Sequence, residues 1–157
     1  MRELVENVIT DEMANDLLGR WSKSGRIRDC FNQYPVDFLV DIVKQYAPIN
    51  PGGKSYINVE CMPRGHDKHY DGCKLDLTPN HMPWCQYSAV SLLSDPREFE
   101  GGMFRFYDPD VAYREELFRN LLIYSSGADN DPQLHSAESH HSGERWMLLM
   151  FFEGAEW

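Results

Sequence analysis

The sequence predicts a mainly β fold, a sandwich or jelly roll with helices packed on its outside. Three features carry that expectation. The first 50 residues place apolar side chains at helical spacing, and from Ser55 onward they fall into short runs separated by turn residues. A hydrophobic content of 42%, with 13% aromatic residues, supplies enough apolar surface over 157 residues for one core. The expected organisation is one domain over 1–157, with 1–50 as helical support and 55–153 as the barrel.

Thr10 can cap a first helix, because its side chain can accept from an unpaired amide of the first turn, where Asp11 and Glu12 also suit the positive end of the helix dipole. Met13, Leu17, Leu18 and Trp21 share one face of that helix, and Ser24-Gly25 ends it. A second helix opens at Pro35, a residue tolerated in a first turn. Its buried stripe is Val36, Leu39, Val43 and Tyr46, with Phe38 and Ile42 alongside, and Pro48 with the Asn50-Pro51-Gly52-Gly53 turn closes it.

The strand-like runs are Ser55–Met62, Lys68–Asp71, Gln86–Leu93, Met103–Tyr107, Asn120–Ser125, Leu134–Ser139 and Arg145–Phe152. Several alternate with period two, as in Tyr87/Ala89/Ser91 against Ser88/Val90/Leu92. Pro63-Arg64-Gly65, Ser94-Asp95-Pro96, Asp108-Pro109-Asp110 and Ser142-Gly143 break them. The stretch 127–133 reads as a mobile surface loop and 72–83 as a longer irregular one, and both are expected at a substrate rim.

Composition narrows the function. The longest apolar run, Trp146–Phe152, is far short of the roughly 20 residues of a membrane span. The opening Met1-Arg2-Glu3-Leu4-Val5-Glu6 lacks the apolar stretch of a signal peptide, so the default location is cytoplasmic. A net charge of −10 and scattered Lys and Arg argue against nucleic acid and suit a cationic small molecule or a peptide. Cys30, Cys61, Cys73 and Cys85 form no Cys-x-x-Cys pair, and free thiols are expected.

His69-Tyr70-Asp71 can set an imidazole and a carboxylate on one side of a strand, although about one such pair is expected by chance in this composition. His135 adds a second imidazole. Two imidazoles and one carboxylate form the triad that holds non-haem Fe(II) with positions left open; zinc takes similar sets, whereas calcium and magnesium want more oxygens. His66 precedes Lys68 rather than an acid, and His140 and His141 are placed on a turn without a ligand role. Arg145 stands at the start of an apolar run, so its guanidinium is expected in the interior, where a buried cation needs a partner. That partner is either the carboxylate of a bound acid or an internal one such as Glu138 or Glu153, the remaining alternative being simple exposure at the strand edge.

The order His69-x-Asp71, then Tyr87–Asp95, then Phe99-Glu100-Gly101-Gly102, then His135 with Arg145 ten residues on, resembles the iron(II)- and 2-oxoglutarate-dependent oxygenases. It is most similar to their prolyl-4-hydroxylase-like branch, from about Tyr56 to Phe152, and Asn7–Glu12 resembles the lead into that branch's first helix. The resemblance implies a double-stranded β-helix, a jelly-roll or cupin-like barrel. It implies His69, Asp71 and His135 on Fe(II) and Arg145 on the distal carboxylate of 2-oxoglutarate. Where the branch commonly carries a tyrosine before the first ligand this chain has Glu60-Cys61, so Tyr87 or Tyr124 is expected to supply a hydroxyl to the keto acid. Asp71 fills the position that related halogenases leave open, which favours hydroxylation. The implied reaction uses O2, with ascorbate as a possible reductant, and oxidises an unactivated C–H bond of a peptide side chain or small metabolite with release of succinate and CO2. Trp84, Met103, Phe104 and Trp146 are candidates for the cavity wall, with plain core packing the simpler role. The alternative is a catalytically silent jelly-roll module that binds a metal or ligand.

Overall fold

Thr10 accepts the amide of Met13 at 3.1 Å and caps α1 (Asp11–Trp21), as its position predicts. The structure, a computed structural model, describes residues 1–22, 26–27 (backbone only) and 32–155. The expected Ser24-Gly25 stop and Cys30 lie outside the described residues. Cys61, Cys73 and Cys85 are free thiols. The second helix, α2 (Val36–Tyr46), follows Pro35 and buries Val36, Leu39, Val40 and Val43. Each such side chain contributes about 1.5–3 kcal/mol of burial. Tyr46, expected in the stripe, is exposed, as is Phe38. Ala47, one residue past the helix, is buried and continues the stripe where the chain turns away.

Twelve strands follow in chain order: β1 (Arg2–Val5), β2 (Arg26–Ile27), β3 (Ser55–Glu60), β4 (His66–His69), β5 (Cys85–Leu92), β6 (Glu100–Gly101), β7 (Phe104–Tyr107), β8 (Asp110–Tyr113), β9 (Leu121–Ser125), β10 (His135–Ala137), β11 (His140–His141) and β12 (Met147–Glu153). The six-stranded sheet has the order β1-β9-β5-β12-β3-β2, the four-stranded sheet β4-β10-β7-β8, and β11 pairs with β6. All these pairings are antiparallel. The seven expected strands are present, four with trimmed ends, while β4 starts two residues early and stops at His69, β5 starts at Cys85 and β12 runs on to Glu153. Those missed are short or exposed: β1 and β2 put strand structure into the segment expected to be wholly helical, and β8 forms a hairpin with β7 across Asp108-Pro109.

The six-stranded sheet is apolar on both faces. Ile57, Val59, Ala89, Ile123, Leu148, Met150 and Phe152 pack against the two helices. Val90, Leu92, Leu122, Tyr124 and Met147 face Phe104 and Phe106 of the smaller sheet. The two sheets thus enclose an interior, as in a double-stranded β-helix. Among the described residues no helix is long and apolar enough to cross a membrane.

Candidate metal centre

Strand register builds the centre. β10 pairs with β4 so that His135 stands directly opposite His69, which brings two imidazoles 66 positions apart in sequence to a ring separation of 4.4 Å. Asp71 lies two residues beyond the end of β4, in a bend rather than on the expected strand. The bend is pinned: Gly72 donates its amide to Ser126 O at 3.1 Å, and Asn80 Nδ2 donates to Asp71 O at 2.9 Å. A side chain at Gly72 would sit 2.2 Å from Cys85 O, so only glycine lets the loop approach β5 this closely.

The ligand atoms are oriented by their outer partners. His69 Nδ1 donates to Asp67 O at 2.5 Å and His135 Nδ1 donates to Gln133 O at 2.8 Å. A carbonyl only accepts, so both rings carry a proton on Nδ1 and point Nε2 at the centre. Asp71 Oδ1 lies 3.2 Å from His69 Nε2 and 3.4 Å from His135 Nε2. All three candidate ligand atoms lie within 4.8 Å of one another. Metal–ligand bonds of about 2.1 Å at right angles set ligand atoms about 3 Å apart, so the donor set suits one Fe(II)-like ion.

Electrostatics agree with that geometry. Burial disfavours the Asp71 carboxylate, but the charge and hydrogen bonds of His135 and His69 outweigh it and hold its pKa well below the usual value. Burial likewise pulls His69 down, and Asp71 reverses this, leaving its pKa raised. His135 is buried between Phe104, stacked at 5.1 Å, Phe106 and Tyr124.

Arg145 precedes β12, which begins at Met147 rather than at Arg145 as expected. Its side chain is buried, 4% exposed, and lines the same cavity as the three ligands. Neither expected internal partner reaches it through a carboxylate. Arg145 Nη1 donates to the backbone carbonyl of Glu138 at 3.0 Å, while the Glu138 carboxylate pairs with Arg105. Arg145 Nε has no partner among the described residues, and desolvation lowers its pKa. Gly102 makes room for it: a Cβ there would stand 3.0 Å from Arg145 Cδ, which gives the Phe99-Glu100-Gly101-Gly102 turn a mechanical role.

The cavity measures about 270 Å³. It brings together His69, Asp71, His135, Arg145 and Tyr124, but not Tyr87. Register explains the difference: Ser88 pairs with Tyr124 and faces inward, whereas Tyr87, one residue earlier, packs on the helix side. Tyr124 reaches the centre, yet its hydroxyl donates to Asp71 Oδ2 at 2.7 Å, so its proton is not offered to a keto acid. Phe104 lines the wall; Trp84 stands behind Tyr56, Trp146 packs toward the helices, and Met103 does not line the cavity. Asn80, His81 and Met82 bring loop 72–83 to the rim. Loop 127–133 is elsewhere and tied down, with Asp131 on the Met1 ammonium and Asn130 on Gln86 O.

Sequence reasoning missed Tyr56, Asn58 and Glu60, which line the cavity from β3, and Ser88, which donates to Asp71 Oδ2 at 2.7 Å. The alternation of Tyr56/Asn58/Glu60 with Ile57/Val59 was the available signal for the first three.

No protein-family model matches the sequence. No curated protein matches it either. Solved structures do match. A prolyl 4-hydroxylase from Pseudomonas putida aligns over 98% of this chain and 88% of its own, with 17% identity and a TM-score of 0.66. A viral collagen prolyl hydroxylase from Paramecium Bursaria Chlorella virus-1, as a truncated form, aligns over 98% of this chain and 89% of its own, with 13% identity and a TM-score of 0.70. The same viral enzyme in complex with 2-oxoglutarate covers 98% and 95% of the two chains, again at 13% identity, with a TM-score of 0.67. With likenesses spanning nearly its whole length, this chain has the double-stranded β-helix fold of the prolyl 4-hydroxylases, and a candidate His-Asp-His metal triad lies in its cavity.

Proposed function

We propose that this protein is an Fe(II)- and 2-oxoglutarate-dependent dioxygenase that hydroxylates an unactivated C–H bond of a peptide side chain or small metabolite. One observation carries the reading: a buried guanidinium without a carboxylate partner shares a cavity with the His69-Asp71-His135 group. A buried cation in that position is completed by a bidentate carboxylate, and a dicarboxylic keto acid has one to spare while its other end chelates a metal.

When bound, Fe(II) and the keto acid supply the oxidation, in which O2 and 2-oxoglutarate are converted with the substrate to succinate, CO2 and the hydroxylated product. The chain supplies placement. His69 and His135 would hold the metal through Nε2 and Asp71 through Oδ1, a three-ligand set of the kind that leaves a metal open to a co-substrate. Arg145 fixes the distal carboxylate. Met147, Leu149 and Phe151 of β12, with Phe104 opposite, keep water from the reacting atoms. The rim formed by Asn80, His81 and Met82 receives the substrate. Enzymes named for prolyl hydroxylation share this fold, so peptidyl proline is the first substrate to try.

The test is succinate release from 2-oxoglutarate with Fe(II), ascorbate and O2, including slow turnover without a primary substrate. Anaerobic Fe(II) with 2-oxoglutarate is expected to give a visible charge-transfer band. Metal binding with neither band nor succinate would establish the silent binding module instead.

A further inference from the structure

Asp71 Oδ2, the carboxylate oxygen that faces away from the two imidazoles, is held by two hydroxyls. Ser88 Oγ and Tyr124 Oη both donate to it at 2.7 Å, and both side chains are fully buried. The direction of these bonds is forced. An ionised carboxylate only accepts, so each hydroxyl gives Asp71 its single proton. Ser88 Oγ must then accept from Ser126 Oγ, 2.6 Å away. The chain of donation therefore runs from Ser126 to Ser88 to Asp71, and Tyr124 closes on the same oxygen from β9. Tyr124 Oη also lies 3.4 Å from His135 Nε2, so one hydroxyl touches two of the three ligands.

We propose that Tyr124 and Ser88 are positioning residues that hold Asp71 as a one-oxygen ligand, presenting Oδ1 to the metal and withholding Oδ2. This rests on the reading of the cavity as a metal centre. A carboxylate free to turn can close on a metal with both oxygens, which fills a position that chelation of a keto acid requires. Two donors on Oδ2 remove that freedom, and they come from adjacent strands of the rigid six-stranded sheet, whose register sets Ser88 opposite Tyr124.

The test uses Co(II) alone on the full chain, read by titration and by its visible spectrum, with near-ultraviolet circular dichroism of the metal-free protein as the check on folding. Tyr124→Phe and Ser88→Ala each delete one hydroxyl and are expected to weaken Co(II) binding about 10–100-fold and to alter the spectrum. Ser126→Ala is the control. It is as buried as Ser88 but leaves the Ser88 proton on Asp71, so its effect is expected to be several-fold smaller. Affinities within twofold of the parent and a superimposable spectrum in both hydroxyl variants would overturn the proposal. So would equal losses in Ser88→Ala and Ser126→Ala, the mark of a packing role. If one variant fails to fold, the other decides. A parent protein that binds no Co(II) refutes the metal-centre reading itself, whereas a parent that binds it alongside indifferent variants refutes only the clamp.

Discussion

Arg145→Met separates a ligand anchor from a structural cation, because the two roles predict opposite effects on the metal-free protein. The guanidinium is buried and, among the described residues, donates to Glu138 O at 3.0 Å while Nε has no partner. Replacing a buried ion pair by apolar residues of similar volume is neutral or stabilising by about 1–4 kcal/mol, and a buried cation that lacks its pair has less attraction to lose. Loss of one charge-assisted hydrogen bond offsets about 1.5–3 kcal/mol of that. The metal-free variant is therefore expected to lie no more than about 3 kcal/mol below the parent and to be as stable or more so at the other limit, where a structural ion-pair partner would cost about 3–5 kcal/mol. Ligand binding moves the other way. Two charge-assisted bonds to a carboxylate are together worth about 3–6 kcal/mol, so the dissociation constant of 2-oxoglutarate should rise by about 10²–10⁴. Thermal melts with Ni(II) and graded 2-oxoglutarate check both limbs. At a concentration about 100 times its dissociation constant the keto acid adds about 2.7 kcal/mol to the parent, and it should add no more than about 0.4 kcal/mol to Arg145→Met. Destabilisation of the metal-free variant by clearly more than about 3 kcal/mol, or an unchanged response to 2-oxoglutarate, would refute the assignment.

Three further outcomes are expected. The raised pKa of His69 means that its ion pair with Asp71 supports the metal-free fold below the ordinary histidine value, and that this support is lost as pH rises through the raised pKa. Metal binding requires the neutral ring, so Co(II) affinity should climb from about pH 6 to 8 while metal-free stability falls, which titrations and melts across that range will show. Gly102→Ala places a Cβ 3.0 Å from Arg145 Cδ at a φ of +75°, and should raise the 2-oxoglutarate requirement while leaving Co(II) affinity near the parent value in paired titrations. Gly72→Ala drives a Cβ to 2.2 Å from Cys85 O and 2.6 Å from Ser126 O, so denaturant melts should show a loss of about 3 kcal/mol, and Co(II) binding should fail with the displacement of Asp71.

Local physics made part of this legible in the sequence. Thr10, Asp11 and Glu12 announce α1 because capping depends only on neighbouring residues. Arg145 could be placed in the interior because the apolar strand after it leaves no exposed course. What stayed hidden depends on strand pairing. Tyr87 and Tyr124 read alike in sequence because both faces of the six-stranded sheet are buried, one under helices and one in the barrel, so hydrophobicity does not tell them apart. Register does: Tyr124 opposes Ser88 and Tyr87 opposes Ser125. The same limit hid Ser88, a small hydroxyl in an apolar run whose meaning appears only when a loop 17 residues earlier folds against it.

The charge balance around Arg145 also bears on whether the centre does more than hold an ion. Buried polar atoms are nearly always paired, and among the described residues four side-chain atoms break that rule: Asn58 Oδ1, Arg119 Nε, His140 Nδ1 and Arg145 Nε. Asn58 and Arg145 line the cavity, and His140 Nε2 accepts the Arg145 amide at 3.2 Å. The nearby groups that can carry negative charge are otherwise engaged. Glu60 binds His66, the Glu138 carboxylate binds Arg105, and burial raises the Cys61 thiol so that it keeps its proton. Burial and the charge of Arg145 lower the pKa of His140, and an imidazole supplies no anion in either protonation state. A module that only gripped a metal on three ligands would gain by carrying apolar residues at these positions. Among the described residues the fold instead keeps a desolvated cation beside the centre with no carboxylate hydrogen-bonded to it, although the charge of Glu60 acts on it, and the proposed keto acid would complete this arrangement with one carboxylate on Arg145 and its other end on the metal.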